Sequence, residues 1–143
     1  METLSKSTKE TEGLARSIAS KLAPGDVLAL YGDLGSGKTT FTNFLTKALG
    51  SDYRVQSPTF VILRKYGGGS GSIKTVNHLD LYRLSNPSEL EDIGIEELVN
   101  EPGAITVIEW PELLENTLPT RTIKIRFEGA GESERKINVE NLH

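Results

Sequence analysis

The sequence reads Gly-Asp-Leu-Gly-Ser-Gly-Lys-Thr from Gly32 to Thr39, which matches the pattern G-x-x-x-x-G-K-[ST] of phosphate-binding loops. Glycine lets the backbone turn tightly and brings main-chain N–H groups close to phosphate oxygens. Lys38 adds a positive charge that reaches the β- and γ-phosphates, and the Thr39 hydroxyl is a ligand for Mg²⁺. The motif therefore predicts a site for a nucleoside triphosphate.

The flanks of this motif supply the strand and the helix that a phosphate-binding loop requires. Val27–Tyr31 is a short apolar run of the kind found in buried strands. Beyond the loop, apolar residues recur at helical spacing as far as Leu49, and Gly50 suits the position after a helix end. The N-terminus of that helix would point at the bound anion. A chance match in a glycine-containing loop is the alternative, and the context argues against it.

Length and composition favour a single domain over residues 1–143. The net charge of −4 gives no overall basic bias, so we do not expect DNA binding. The absence of cysteine excludes disulfides, zinc ribbons and thiol nucleophiles. No run of 18 apolar residues occurs, and the polar segment Met1–Glu12 lacks the apolar region of a signal peptide. We therefore expect a cytoplasmic protein without membrane contact.

The remaining pattern predicts an α/β, P-loop NTPase-like fold with a small, mainly parallel central sheet, antiparallel edge hairpins and flanking helices. Ser7-Thr8-Lys9-Glu10 has the form of a capping box and starts a first helix that ends near Leu22. A hairpin with a glycine-rich tip follows the phosphate loop and its helix. The predicted elements from there on are the hairpin strands Thr59–Tyr66 and Ile73–Leu79, helical turns from Asn86 to about Asn100 interrupted at Gly94, a buried strand Ala104–Ile108, a short helix from Pro111, and a terminal hairpin of Arg121–Phe127 and Arg135–Val139.

Two carboxylates follow apolar runs and are candidates for a metal and catalytic site. Asp80 comes just after a predicted strand, and Glu109 ends Ile105–Glu109, which has the form of a Walker B strand. In an open α/β sheet, ligands bind beyond the carboxyl ends of the strands, where both acids would emerge. The alternatives are a turn or helix cap for Asp80 and a solvated strand end for Glu109. His78 either orients a metal ligand or serves the structure alone.

Three further side chains each keep a functional and a structural interpretation. Ser57 and Thr59 sense the γ-phosphate or Mg²⁺, or they belong to a proline-containing turn. Trp110, the single tryptophan, shields the site or contributes to a partner surface, or it is ordinary packing.

Four segments together resemble the small bacterial TsaE (YjeE-type) ATPases, in order and in spacing. They are the phosphate loop, Ser-Pro-Thr-Phe at Ser57–Phe60, His-Leu-Asp-Leu-Tyr-Arg-Leu at His78–Leu84, and Ile-Glu-Trp-Pro-Glu at Ile108–Glu112. The resemblance runs from Thr11 to the strand Arg121–Phe127. That family serves the biosynthesis of N6-threonylcarbamoyladenosine at position 37 of tRNAs.

The resemblance implies an Mg²⁺-dependent ATPase that docks on the proteins TsaD and TsaB and acts on tRNA indirectly, through that complex; whether it also contacts tRNA directly is left open by the sequence. It implies that Lys38, Asp80 and Glu109 are catalytic and that Thr11 lies near the adenine. The residues implied to hold the triphosphate are Gly35, Ser36, Gly37, Lys38, Thr39 and Thr40, and those implied to hold Mg²⁺ are Thr39, Asp80 and Glu109.

Two other functions remain open at this stage, a P-loop kinase of small molecules and a nucleotide-dependent switch that does not hydrolyse. A GTPase is disfavoured because the N-K-x-D guanine-reading motif is absent. No arginine is an obvious partner for the transferred phosphate, Arg83 being the nearest, so we expect weak activity alone and stimulation by partners.

Overall fold

The computed structural model describes residues 1–33, 36–50, 54–56, 63–67, 71–81, 94–114, 117–129 and 134–142. Within these ranges, eight strands form one sheet with helices packed against it. The elements in chain order are β1 (Glu2–Ser5), α1 (Thr8–Ala19), β2 (Val27–Tyr31), α2 (Lys38–Ala48), β3 (Arg54–Gln56), β4 (Leu63–Gly67), β5 (Thr75–Asp80), α3 (Ile95–Val99), β6 (Ala104–Glu109), a 3₁₀ helix (Pro111–Leu114), β7 (Ile123–Gly129) and β8 (Arg135–Glu140).

The strand order is β1-β8-β7-β2-β6-β5-β4-β3. The four central strands, β7, β2, β6 and β5, run parallel, whereas the pairs outside them are antiparallel. Strands β2 and β6 are buried along their whole length, as central parallel strands covered on both faces must be. This arrangement confirms the predicted α/β fold with a parallel centre and antiparallel edges.

Alternation of side chains divides the core between the two faces of the sheet. One face packs against α1 and α2, which also contact each other; its buried apolar residues include Ile18, Leu28, Leu30, Phe41, Leu45, Ile105, Val107, Ile123 and Ile125. The other face carries a smaller cluster with α3 and the 3₁₀ helix, made of Val27, Leu63, Leu79, Leu81, Leu98, Ile108 and Leu114. The phosphate-loop helix α2 is therefore anchored by its apolar side on the centre of the sheet.

Helix α1 begins where the capping signal predicts and ends earlier than expected. The Ser7 hydroxyl accepts the Glu10 backbone N–H at 3.2 Å, and the Glu10 carboxylate accepts the N–H of Lys6 at 2.7 Å. The helix ends at Ala19 rather than near Leu22. The following N–H groups bond to carbonyls three residues back, at 2.9 and 3.3 Å, so the last turn tightens and the α pattern stops.

Strand β1 is not among the predicted elements, nor is the three-residue strand β3. Residues Glu2–Ser5 pair antiparallel with β8, and the amino group of Met1 donates to the carbonyl of Val139 at 2.9 Å. The segment is polar apart from Leu4, which is exposed. Its strand conformation depends on a partner more than 130 residues away in the chain, which local pattern cannot show.

The other predicted elements are present where the structure describes them, but the bounds of the strands shift by up to two residues: β5 begins at Thr75 rather than Ile73, and β7 begins at Ile123 rather than Arg121. Strands β4 and β5 form the predicted antiparallel pair, and β7 and β8 form the terminal hairpin. The predicted helix start at Asn86 and the first hairpin residues, 59–62, lie outside the described residues. Gly94, in the left-handed region with φ of 75°, precedes α3. No helix in the described ranges is long and apolar enough to span a membrane.

Candidate functional site

The phosphate loop places the N-terminus of α2 against the sheet. Gly37 precedes the helix with φ of 105°, and no side chain caps it. The first N–H groups of any α-helix lack partners within the helix, so those of α2 are available to an anion. Gly32 has φ of 149°, and a Cβ there would lie 2.6 Å from the Ser36 hydroxyl and 2.7 Å from the carbonyl of Phe127. Only glycine allows this close approach of the loop to β7.

A cleft of about 610 Å³ opens at this end of the sheet, within the size range of small-molecule sites. It brings together every predicted site residue except Gly35, which lies outside the described residues. The predicted residues that line the cleft are Thr11, Ser36, Gly37, Lys38, Thr39, Thr40, Asp80 and Glu109.

Asp80 and Glu109 lie side by side because their strands are parallel neighbours. Each is the last residue of its strand, β5 for Asp80 and β6 for Glu109, and the two are direct register partners. Asp80 is thus part of the strand and not just beyond it. The prediction that both acids emerge at the carboxyl edge of the sheet is confirmed.

Glu109 is held at both of its carboxylate oxygens. Oε1 accepts the Thr39 hydroxyl at 2.9 Å, and Oε2 lies 2.5 Å from His78 Nε2. The residue is only 2% exposed. Burial by itself would raise the pKa of Glu109, but the hydrogen bond and charge of His78, the Thr39 hydroxyl and the Lys38 ammonium outweigh it and lower that pKa. Glu109 is therefore an ionised, buried acceptor.

Lys38 is buried at the base of the cleft and is already engaged. Its ammonium donates to the carbonyl of Gly32 and lies 3.5 Å from the ring centroid of Trp110, a cation–π contact. Trp110 itself has a positive φ of 58°. Burial lowers the pKa of Lys38, while carboxylates including Glu109 and Asp80 oppose that shift.

The cleft is also lined by residues that the sequence analysis did not assign to the site. The predicted residue Thr11 lines the cleft as well, and its hydroxyl lies 2.6 Å from that of Ser5, both side chains being buried. The lining residues that were not predicted for the site are Lys6 and Ser7, which follow β1, Thr8 at the start of α1, and Phe127, Arg135 and Ile137 of the terminal hairpin. The position of Ser57, Thr59 and the arginine Arg83 falls outside the described residues.

The donor set of the cleft fits a magnesium–nucleotide rather than a metal held by protein alone. The Ser36 hydroxyl is buried and has no hydrogen-bond partner among the described residues. Thr39 gives its hydrogen to Glu109, which leaves the lone pairs of the hydroxyl free for a cation. The described residues contain no group of three or more His, Cys, Asp or Glu side chains placed for a metal. Mg²⁺ characteristically takes one or two carboxylates and completes its shell with phosphates and water.

Comparison with known proteins decides the family. Residues 5–137 match the sequence model described as threonylcarbamoyl adenosine biosynthesis protein TsaE. The chain belongs to the TsaE family. The earlier resemblance to that family is thereby confirmed, and the family is one of nucleotide-binding, P-loop-type proteins linked to tRNA threonylcarbamoyladenosine biosynthesis.

Individual TsaE proteins match over most of their length. The TsaE of Bacillus subtilis (strain 168) is 40% identical over 129 residues, which cover 90% of this chain and 78% of that protein. The TsaE of Treponema pallidum (strain Nichols) is 34% identical over 139 residues, 97% of this chain and 99% of the relative. Among solved structures, that of Bacillus subtilis YdiB superposes with a TM-score of 0.74 at 33% identity, covering 96% of this chain and 82% of that one.

Proposed function

We propose that this TsaE-family protein binds ATP with Mg²⁺ and hydrolyses it as an accessory to TsaD and TsaB in tRNA N6-threonylcarbamoyladenosine biosynthesis. The observation that carries the proposal is the hydrogen-bonded chain from Thr39 through Glu109 to His78, beside the N-terminus of α2 and next to Asp80. Hydrolysis needs an anion cradle, a metal contact and a group that orients water, and these residues supply candidates for all three.

The proposed roles follow from the chemistry of each group. The ammonium of Lys38 and the backbone N–H groups along residues 35–40 hold the triphosphate, apart from the N–H of Ser36, which bonds to the carbonyl of Asp33. The Ser36 and Thr40 side chains lie beside the triphosphate. Thr39, Asp80 and Glu109 face the cation, which when bound neutralises charge on the phosphates. The two carboxylates would also orient water near the terminal phosphate by accepting hydrogen bonds from it. Thr11, which also lines the cleft, lies near the adenine of the bound nucleotide.

Regulation by partners is part of the same proposal. Lys38 rests on Trp110 and on the carbonyl of Gly32, so its transfer to a phosphate requires a local rearrangement. A partner that favours this rearrangement or adds a cation would raise turnover, and a supplied arginine alone is worth about 10³–10⁵ in rate in related enzymes. Contacts to tRNA then fall to the partners, in keeping with the net charge of −4.

Phosphate release, measured for the protein alone and with TsaD and TsaB, tests the proposal. We expect slow hydrolysis alone and a rise of at least about tenfold with the pair, on the reasoning that a missing cation limits the rate. Glu109→Ala should lower turnover more than nucleotide affinity, whereas Lys38→Ala should remove affinity. Fast hydrolysis that ignores the pair would contradict the partner-gated mechanism.

The same assay separates the two alternatives from ATP hydrolysis. Transfer of the γ-phosphate to a metabolite instead of water would indicate a kinase. Nucleotide-dependent association with TsaD and TsaB without any released phosphate would indicate a switch, with Asp80 and Glu109 as structural residues.

A further inference from the structure

His78 is a buried imidazole with one polar contact among the described residues. It is 2% exposed, and Nε2 lies 2.5 Å from Glu109 Oε2. Its other nitrogen, Nδ1, is buried with no hydrogen-bond partner in the described part of the chain. The ring of Tyr66 stacks on it at a centroid distance of 6.2 Å. The imidazole is therefore packed on one side and committed to Glu109 on the other.

A purely structural role explains this arrangement poorly. A buried nitrogen without a partner costs free energy, and an aliphatic side chain of similar volume would fill the space without that cost. What an aliphatic side chain cannot do is donate to the Glu109 carboxylate. Since Nδ1 makes no hydrogen bond within the described residues, the bond from Nε2 to Glu109 is what distinguishes a histidine from an aliphatic residue at this position.

The bond from Nε2 gives the Glu109 carboxylate a second point of attachment. The torsion about the last bond of a glutamate side chain is broad, and the hydrogen bond from Thr39 restrains it at Oε1 alone. A second donor at Oε2 narrows the remaining range of that torsion. Oε1 is then held towards the Thr39 hydroxyl, whose lone pairs are left for a cation.

We infer that His78 is a positioning residue that fixes the Glu109 carboxylate and, through Thr39, sets the affinity of the site for the Mg²⁺ of the bound nucleotide. This inference rests on the proposed function, because it concerns the same metal and nucleotide. Replacing a group that hydrogen-bonds to a metal ligand without touching the metal commonly lowers metal affinity or activity by about 10–100-fold.

Two polar variants of matched chemistry test the inference. In His78→Gln the amide nitrogen reaches the position of Nε2, whereas in His78→Asn the side chain is one methylene shorter and falls short of Glu109. The measurement is calorimetric titration of Mg²⁺ into each protein saturated with ATP, together with ATP binding in EDTA. We expect His78→Asn to weaken Mg²⁺ binding by about 10–100-fold and His78→Gln by less than about threefold. ATP binding in EDTA should stay within about twofold in both, since Mg²⁺ is absent there.

Tyr66→Leu provides the packing control, since it removes the stacked ring and leaves the bond to Glu109 in place. It should lower thermal stability and leave the Mg²⁺ titration unchanged. The inference is overturned if His78→Asn and His78→Gln bind Mg²⁺ equally, or if neither folds, because both results would assign the imidazole to the core. Failure of the unaltered protein to bind ATP at all would instead refute the proposed function.

Discussion

Replacing Glu109 by glutamine disturbs a hydrogen-bond pattern in which the carboxylate accepts at both of its oxygens. The side chain accepts from Thr39 at 2.9 Å and contacts His78 at 2.5 Å, and it is 2% exposed. A glutamine offers one acceptor oxygen and one NH₂ group, so the hydrogen that either Thr39 or His78 now donates would lose its acceptor. A buried donor left without a partner costs about 1–3 kcal/mol. We expect Glu109→Gln to lower the free energy of unfolding of the nucleotide-free protein by about that amount at pH 7, and its Tm by about 3–10 °C.

The pH dependence of this difference gives the prediction its sign. The folded-state pKa of Glu109 lies below the ordinary value of 4.5, since burial, which opposes the shift, is outweighed by His78, Thr39 and Lys38. Its ionised form therefore stabilises the fold above pH 4.5, and this contribution is lost as the pH falls through the lower folded-state pKa. Glutamine does not titrate, so the gap between the two proteins should shrink below that pH.

Urea unfolding followed by far-ultraviolet circular dichroism, from neutral pH down to the acid range, measures both effects. Glu109→Asp serves as the control, because it keeps the negative charge while its shorter side chain places the carboxylate farther from Thr39 and His78. It therefore separates the effect of the charge from that of the two hydrogen bonds. Equal stability of the glutamine variant at pH 7, or a gap that widens in acid, would refute the reasoning.

Three more predictions come from other parts of the molecule. Ser7→Ala removes the N-cap bond of α1 and should lower the unfolding free energy by about 1 kcal/mol, with Ser7→Asp retaining stability in the same denaturation assay. Gly32→Ala strains a φ of 149° and sets a methyl group 2.6 Å from the Ser36 hydroxyl; we expect a loss of about 1–3 kcal/mol, and an unchanged melting temperature would contradict it. Trp110 emission should change when ATP and Mg²⁺ bind, because Lys38 leaves the ring; a silent spectrum at saturation would show that the ammonium stays in place.

The centre of the fold was predictable from sequence because its signals are local. The apolar run Val27–Tyr31, the glycine loop and the apolar spacing after it determine β2, the turn and α2 within a short stretch of chain. Asp80 and Glu109 were predictable for a related reason, since acids after apolar runs emerge at one edge of a parallel sheet.

The rest of the site depends on pairing between distant segments. Strand β1 forms because β8 offers it an edge, and the last residue of β1, Ser5, contacts Thr11, which lines the cleft. The contact between His78 and Glu109 comes from the register of β5 against β6. That register places Asp80 beside Glu109, and His78 precedes Asp80 by two residues, on the same face of the strand. The register of β5 against β6 and the pairing of β1 with β8 both join segments that are distant in the chain, so the local sequence pattern does not predict them.

Calorimetry of ATP with Mg²⁺ tests most directly whether the start of α2 and Lys38 hold the phosphates. Lys38→Ala is the informative variant, and Lys47→Ala, an exposed lysine in the last turn of the same helix, is its matched control. We expect saturable binding to the unaltered protein and to Lys47→Ala, and at least about a hundredfold weaker binding to Lys38→Ala, the loss that follows when a charge-assisted contact of about 3 kcal/mol is removed. No heat of binding in the unaltered protein, or equal affinity in all three, would contradict the account.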